Sequence, residues 1–326
     1  MKPYELLLKA TREIYIRLFG FPNDRSIDNS RVDIFNEEAN DFLYERIYKA
    51  LQKKEGFALC KLGTVELGTI VAYRNFGGGK INELAKFIKG YPVPLFYERE
   101  WSRLENNAGV FPASKDTCDH FAQLMIEELP EIDVLASYAW CERYVNDLTQ
   151  KCIKVNLEGY YAPFLYKKPW TKILKGKRVL VVHPFADSIL TQYSKRLTLF
   201  DNPDVLPKLA SLQVIKAVQS IAGNDCGFDN WFDALESMKE QMTKCDFDIA
   251  LIGCGAYGLP LTIHAKRLGK VGIHLAGWTQ MLFGIYGKRW VDDQPEYARF
   301  IKKSWVRPTD DERPQGASRV EKGCYW

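Results

Sequence analysis

Apolar positions recur at helical spacing through the first third of the chain and condense into short apolar runs through the last half. Residues 4–18 form a first predicted helix. Ala39, Phe42, Leu43, Ile47, Ala50 and Leu51 share one face of a second, from about Glu37 to Lys54, with Gly56 as its stop. A strand from Phe57 to Lys61 follows, then Gly63, then a helix opening at Thr64 or Val65 and running towards Tyr73. Phe76-Gly77-Gly78-Gly79-Lys80 reads as a flexible turn; without a first glycine and a final Ser or Thr it is not a phosphate-binding P-loop. Asp119 to Leu129 reads as a helix, Ile132 to Ser137 as a strand, and Tyr160 to Trp170 as an aromatic, proline-rich connection.

From Lys177 the pattern becomes regular. Strands Arg178–His183, Leu212–Val218, Ile249–Gly253 and Gly272–Leu275 alternate with helices Ser188–Leu197, Asp229–Lys244 and Gly258–Leu268. Strands alternating with helices predict an α/β fold with a Rossmann-like, doubly wound, mainly parallel sheet, and ligands at the carboxyl ends of its strands. The expected organisation is an N-terminal helical extension (1–35), an N-terminal α/β half (36–170) packed against a Rossmann-like nucleotide-binding half (171–304), and a C-terminal tail (305–326).

Composition narrows the class. With 46% hydrophobic and 26% charged residues, a chain of 326 residues is an ordinary globular protein. The first twenty residues lack the apolar core and cleavage site of a signal peptide, and no apolar run approaches the roughly 18 residues of a membrane span, so a cytoplasmic protein is expected. A net charge of +4 is dispersed, which argues against nucleic acid and leaves room for anionic small ligands or an acidic membrane surface. Eight cysteines stand singly, with no C-x-x-C pair, and read as buried thiols.

Four segments carry candidate chemistry. Gly253-Cys254-Gly255-Ala256-Tyr257-Gly258 follows an apolar strand and opens a helix, so its amides can face a phosphate; the alternative is that its glycines only permit close packing. The next strand ends at His274 with no acid to hold a ribose, which favours a sugar nucleotide over NAD. His183, Asp187 and Ser188 sit where a strand ends and a helix begins: His183 for proton transfer or phosphate contact, the other two for capping or ligand contact. Glu66 lies in the first turn of its helix, where the dipole keeps a carboxylate ionised for use as a base or metal ligand, or does nothing more. Gln280, Lys288, Arg289 and Trp290 follow the last strand, the two cations for a diphosphate and the indole for stacking. Asn107, Gly109 and Phe111, ahead of a helix, and Glu142, after the Ile132 strand, are weaker acceptor-site candidates. Asp246-Phe247-Asp248 has the D-x-D form of many sugar transferases but stands at the wrong end of a strand, and reads as structural.

The chain resembles the GT-D-fold glycosyltransferases and, more closely, a group of proteins with that domain from bacterial polysaccharide gene clusters. The resemblance rests on Lys61-Leu62-Gly63-Thr64-Val65-Glu66-Leu67, Asn107 to Pro112, Gly253 to Pro260 and Gly284 to Trp290, and spans residues 35–326. It implies a Rossmann-like fold that binds a UDP-sugar through Lys61, Gly63, Thr64 and the glycine turn, and a D-x-E motif for a divalent metal such as manganese. Here that motif is Thr64-Val65-Glu66: the glutamate is kept and the aspartate is not, and a hydroxyl is a poor replacement for a carboxylate on a hard cation. The expected function is transfer of a sugar from a nucleoside-diphosphate sugar to a glycan or lipid-linked glycan in surface polysaccharide biosynthesis, with a peripheral membrane contact and a homodimer both compatible. The alternatives are a non-catalytic nucleotide-sugar or glycan-binding protein of an assembly complex, and a different group transfer on the same scaffold.

Overall fold

The computed structural model describes residues 3–21, 32–75, 80–91 and 98–326; the glycine-rich turn at Phe76–Gly79 lies outside them. In chain order the elements are α1 (Pro3–Phe19), α2 (Asn36–Lys53), β1 (Phe57–Cys60), α3 (Thr64–Asn75), α4 (Lys80–Ile88), α5 (Glu98–Ala108), α6 (Lys115–Glu128), β2 (Val134–Ser137), β3 (Ile153–Asn156) and α7 (Leu157–Tyr161). There follow β4 (Arg178–His183), α8 (Ala186–Ser194), β5 (Ser211–Lys216), α9 (Trp231–Lys244), β6 (Ile249–Ile252), α10 (Gly258–Arg267), β7 (Val271–His274) and α11 (Trp278–Leu282).

All seven strands belong to one parallel sheet in the order β3-β2-β1-β7-β6-β4-β5. The Rossmann-like α/β expectation therefore holds, and β1 of the first half is hydrogen-bonded directly to β7 of the second, so one sheet runs through both. The five inner strands β1, β2, β4, β6 and β7 are buried on both faces, which is why they read as continuous apolar runs, whereas the edge strand β5 is partly exposed. Phe57 and Leu59 of β1 face a core with Leu43 and Ile47 of α2 and Ile189 of α8, whereas Ala58 and Cys60 face one with Leu67, Phe121 and Leu261 on the opposite side. The connection from β4 leads outward to β5 and that from β6 leads the other way to β7, so the carboxyl ends of β4 and β6 flank a topological switch point, the expected place for a ligand.

Acids at the amino ends of strands are structural. Asp248 accepts from the Arg178 backbone N–H at 2.9 Å and pairs with its guanidinium at 2.6 Å, and Asp246 pairs with the same group, which accounts for the D-x-D sequence. Gly56 does not cap α2. That helix ends with Lys54 in the left-handed conformation (φ 55°), and Gly56 is glycine because a Cβ there would lie 1.9 Å from the Lys266 carbonyl oxygen. Among the described residues no helix is long and apolar enough to cross a membrane.

Candidate functional site

A crevice of about 380 Å³ opens over the carboxyl ends of β1, β2, β4, β6 and β7, and most of the nominated residues meet in it. Lys61, Gly63, Thr64 and Glu66 enter from the β1–α3 turn, Asn107 from the end of α5, His183 from β4, Gly253, Gly255 and Tyr257 from the turn after β6, and Gln280 and Arg289 from the segments after β7.

The β1–α3 turn is built around a carboxylate. Gly63 precedes the first residue of α3, and a Cβ on it would stand 2.0 Å from Oε2 of Glu66. Glu66 therefore folds back over the turn at the amino end of its own helix, as the third residue of a capping box does, and only glycine leaves it room. On the other side Tyr138 donates to the Leu62 carbonyl at 2.8 Å, and the Lys61 ammonium lies 3.4 Å from the Tyr138 hydroxyl. Burial first, and then the negative charges of Glu66 and Glu142, push the Tyr138 phenol well above its ordinary value, so it is a neutral hydrogen-bonding wall.

His183 is buried, and its Nδ1 accepts from the Phe185 N–H at 3.0 Å. Burial pushes its pKa down to about 3, so the ring is neutral, with its proton on Nε2. It suits donation of a hydrogen bond rather than uptake of a proton. His274 at the end of β7 is also neutral, pushed down to about 3 by burial and by Lys61, and neither of its ring nitrogens makes a hydrogen bond of ordinary geometry to a described residue.

The three glycines of the β6–α10 turn have three different reasons. A Cβ at Gly253 would lie 2.5 Å from the Ala276 carbonyl; Gly255 has φ +60° and faces the crevice; a Cβ at Gly258 would lie 2.0 Å from Nε2 of His274. Gly258 serves packing alone, while Gly253, packed as closely, and Gly255 both border the cavity. Ala256 is buried and, like Gly258, does not line it.

Several nominated residues stand elsewhere. Asp187 is exposed on the first turn of α8 and outside the crevice. Ser188 is buried, and its N–H and hydroxyl both donate to the carboxylate of Glu312, the N–H at 3.0 Å. Glu312 thus occupies the anion site at the amino end of α8, and Ser188 has no donor left for a ligand. Glu142 accepts from the N–H groups of Tyr138 and Ala139 at 3.0 Å and from Ser137, which consumes its carboxylate in the turn after β2. Trp290 is fully buried edge-on to Trp278, and Lys288 is exposed; neither lines the cavity.

The residues not nominated are mostly aromatic. Tyr161 stacks on Trp278 with centroids 3.9 Å apart, Tyr138 follows β2, and Ser220 bonds the Gly109 carbonyl at 2.6 Å. Tyr325 and Trp326 fold back onto the crevice: the Tyr325 ring lies where a Gly277 Cβ would be, the Arg289 guanidinium sits 4.5 Å over it, and Trp326 Nε1 donates to the Glu312 carbonyl. The strand-end rule that found His183 would also have found Tyr138, and the closing Tyr325-Trp326 pair reads in the sequence as a docked tail; nothing local marks Glu312. Glu312→Ala leaves two buried donors of α8 unpaired and is expected to destabilise the fold by about 2–4 kcal/mol, with the helix cap and the unpaired donors both contributing, read as a lower urea midpoint.

The crevice holds cations, neutral donors and one side-chain carboxylate. Among the described residues no group of three or more His, Cys, Asp or Glu that would hold a metal occurs, and Glu66 is the only one of their acidic side chains lining the cavity. A divalent cation bound by the protein would want more oxygen ligands than this, so the residues present do not fit one. A phosphorylated ligand can instead be met by Lys61, Arg289, the Nε2–H of His183 and the backbone at Gly255.

Searches of curated proteins and of solved structures give no match. A family model described as the GT-D fold-like domain matches residues 39–282, which cover β1 through α11 and hence the whole sheet and most of the crevice. By that match over more than half of its length, the chain belongs to the GT-D fold-like family.

Proposed function

We propose that the protein is a glycosyltransferase that moves a sugar from a nucleoside-diphosphate sugar, most simply a UDP-sugar, to a glycan acceptor in polysaccharide biosynthesis in the cytoplasm. The observation that carries this is the convergence in one crevice of a helix-terminal carboxylate, Glu66, with Lys61, Arg289 and the Gly253–Gly255 turn. In the reaction the acceptor hydroxyl oxygen bonds to the anomeric carbon as the bond from that carbon to the phosphate oxygen breaks. The acceptor proton passes to Glu66 and the nucleoside diphosphate leaves with the bonding electrons. Lys61, Arg289 and the His183 Nε2–H stabilise the charge that develops on the leaving phosphate, the effect that counts for most when donors are already in place. No step is assigned to a metal.

A second reading has its own observation. Thr64 stands where the family motif has an aspartate, which favours a binding protein that holds a nucleotide sugar or glycan without turning it over. Thermal shift with UDP-, GDP-, CDP- and TDP-sugars and with NAD, each with and without manganese, separates the readings. A donor class that raises the melting temperature without manganese is the expected result, since a ligand bound only by the folded state must stabilise it. Stabilisation by NAD alone overturns the transferase reading, and binding without turnover on any acceptor favours the second.

A further inference from the structure

The residues nominated from sequence for the acceptor do not form a second site, but the molecule has a second cavity. It measures about 770 Å³ and lies between α1 and α3, closed by Arg103 of α5 and by the turn after β2. It shares two residues with the first crevice, Thr64 and Tyr138, so the two cavities meet beside Glu66.

Its floor explains a glycine that the first crevice does not use. Thr64, Gly68 and Ala72 succeed each other at four-residue spacing on α3 and all line the cavity. A glycine inside a helix costs about 0.5–1 kcal/mol relative to alanine. At position 68 its backbone has no special angle, and the nearest atom to an added Cβ is the Arg103 guanidinium at 3.4 Å. The missing side chain keeps the floor open and Arg103 over it. The walls add half-buried Trp140 and Tyr91, and charges of both signs: Lys9, Arg12 and Arg103 against Glu13 and Glu100. Arg12 is engaged with the carbonyls of Gly90 and Tyr91, and Arg103 pairs with Glu100 at 3.4 Å. Flat aromatic faces with balanced carboxylate and guanidinium groups suit a neutral polyhydroxy ligand: ring C–H faces lie on the aromatics and hydroxyls bond the charged groups.

We propose that this second cavity is the acceptor subsite and takes a neutral oligosaccharide, whose terminal hydroxyl reaches Glu66 between Thr64 and Tyr138. The inference rests on the transferase reading for the direction of the hydroxyl, and its binding test does not. The probes are cellotetraose, chitotetraose and maltotetraose, titrated calorimetrically into the full chain and into the variants Trp140→Ala and Gly68→Leu. The first variant removes an aromatic wall and the second fills the floor while favouring the helix. The expected result is that at least one tetrasaccharide binds and that each variant weakens it about tenfold or more, with the nucleotide-sugar thermal shift the same in all three proteins. If no tetrasaccharide binds, or if both variants bind it as the parent does, the acceptor subsite is overturned. If no nucleotide sugar stabilises the protein yet a tetrasaccharide binds and both variants lose it, the transferase reading fails and the subsite stands as a glycan-binding site.

Discussion

Replacement of Glu66 by glutamine is expected to lower sugar transfer by about 10²–10⁴-fold, the range of a lost general base, while leaving the nucleotide-sugar thermal shift close to that of the parent. Glutamine keeps the length and one oxygen of the side chain, so it can still reach back over the α3 turn as a capping residue. What it cannot do is take a proton. Gly63→Ala is the complementary change, because the carboxylate survives but its position, 2.0 Å from the new methyl, does not. Both variants should fold, and both should lose turnover. Equal rates in Glu66→Gln and the parent, measured as released nucleoside diphosphate with an acceptor present, would confine Glu66 to capping.

Gly258→Ala is expected to be the most damaging single methyl in the glycine turn, lowering stability by about 1–3 kcal/mol or more through overpacking. The added Cβ meets the ring of His274 at 2.0, 2.4 and 2.6 Å, so that buried ring at the end of a central strand must shift to make room. Urea unfolding measures the loss, and nucleotide-sugar binding to the folded fraction should weaken at most modestly, because Gly258 does not border the crevice and only the displaced His274 ring, which does, can disturb it. A Gly258→Ala protein as stable as the parent but unable to bind a nucleotide sugar would return that glycine to the phosphate cradle.

The sequence showed the second half of the fold more clearly than the first, for a physical reason. Strands β4, β6 and β7 are central and apolar on both faces, and strands β4 to β7 are spaced by single helices, so each announces itself. The short β3, reading Ile153-Lys154-Val155-Asn156, carries a lysine whose ammonium is satisfied by Asn146 at 2.8 Å, and that lysine and the closing asparagine hid it. Likewise α5, reading Glu98 to Ala108, has so polar a sequence that its burial of Leu104 was not apparent. The candidate site divides the same way. Residues at strand ends, Lys61, Glu66, His183 and Gly253, were legible because the carboxyl edge of a parallel sheet is where ligands bind. Ser188 and Glu142 were misplaced because their partners, Glu312 and the turn amides after β2, are set by tertiary contacts that no local pattern reports.

The sheet order also sets a timetable for synthesis. Strand β1 occupies the middle of the sheet, yet its neighbour β7 is translated more than two hundred residues later, and the crevice is closed by Arg289, Tyr325 and Trp326, later still. While the ribosome makes the intervening segments, one edge of β1, with its free N–H and C=O groups and its apolar faces, waits for a partner that does not yet exist. The nascent chain therefore holds Glu66 long before it holds a site. Until β7 has docked, the first half is a stretch that chaperones would be expected to shield, and no partially made chain holds the complete crevice.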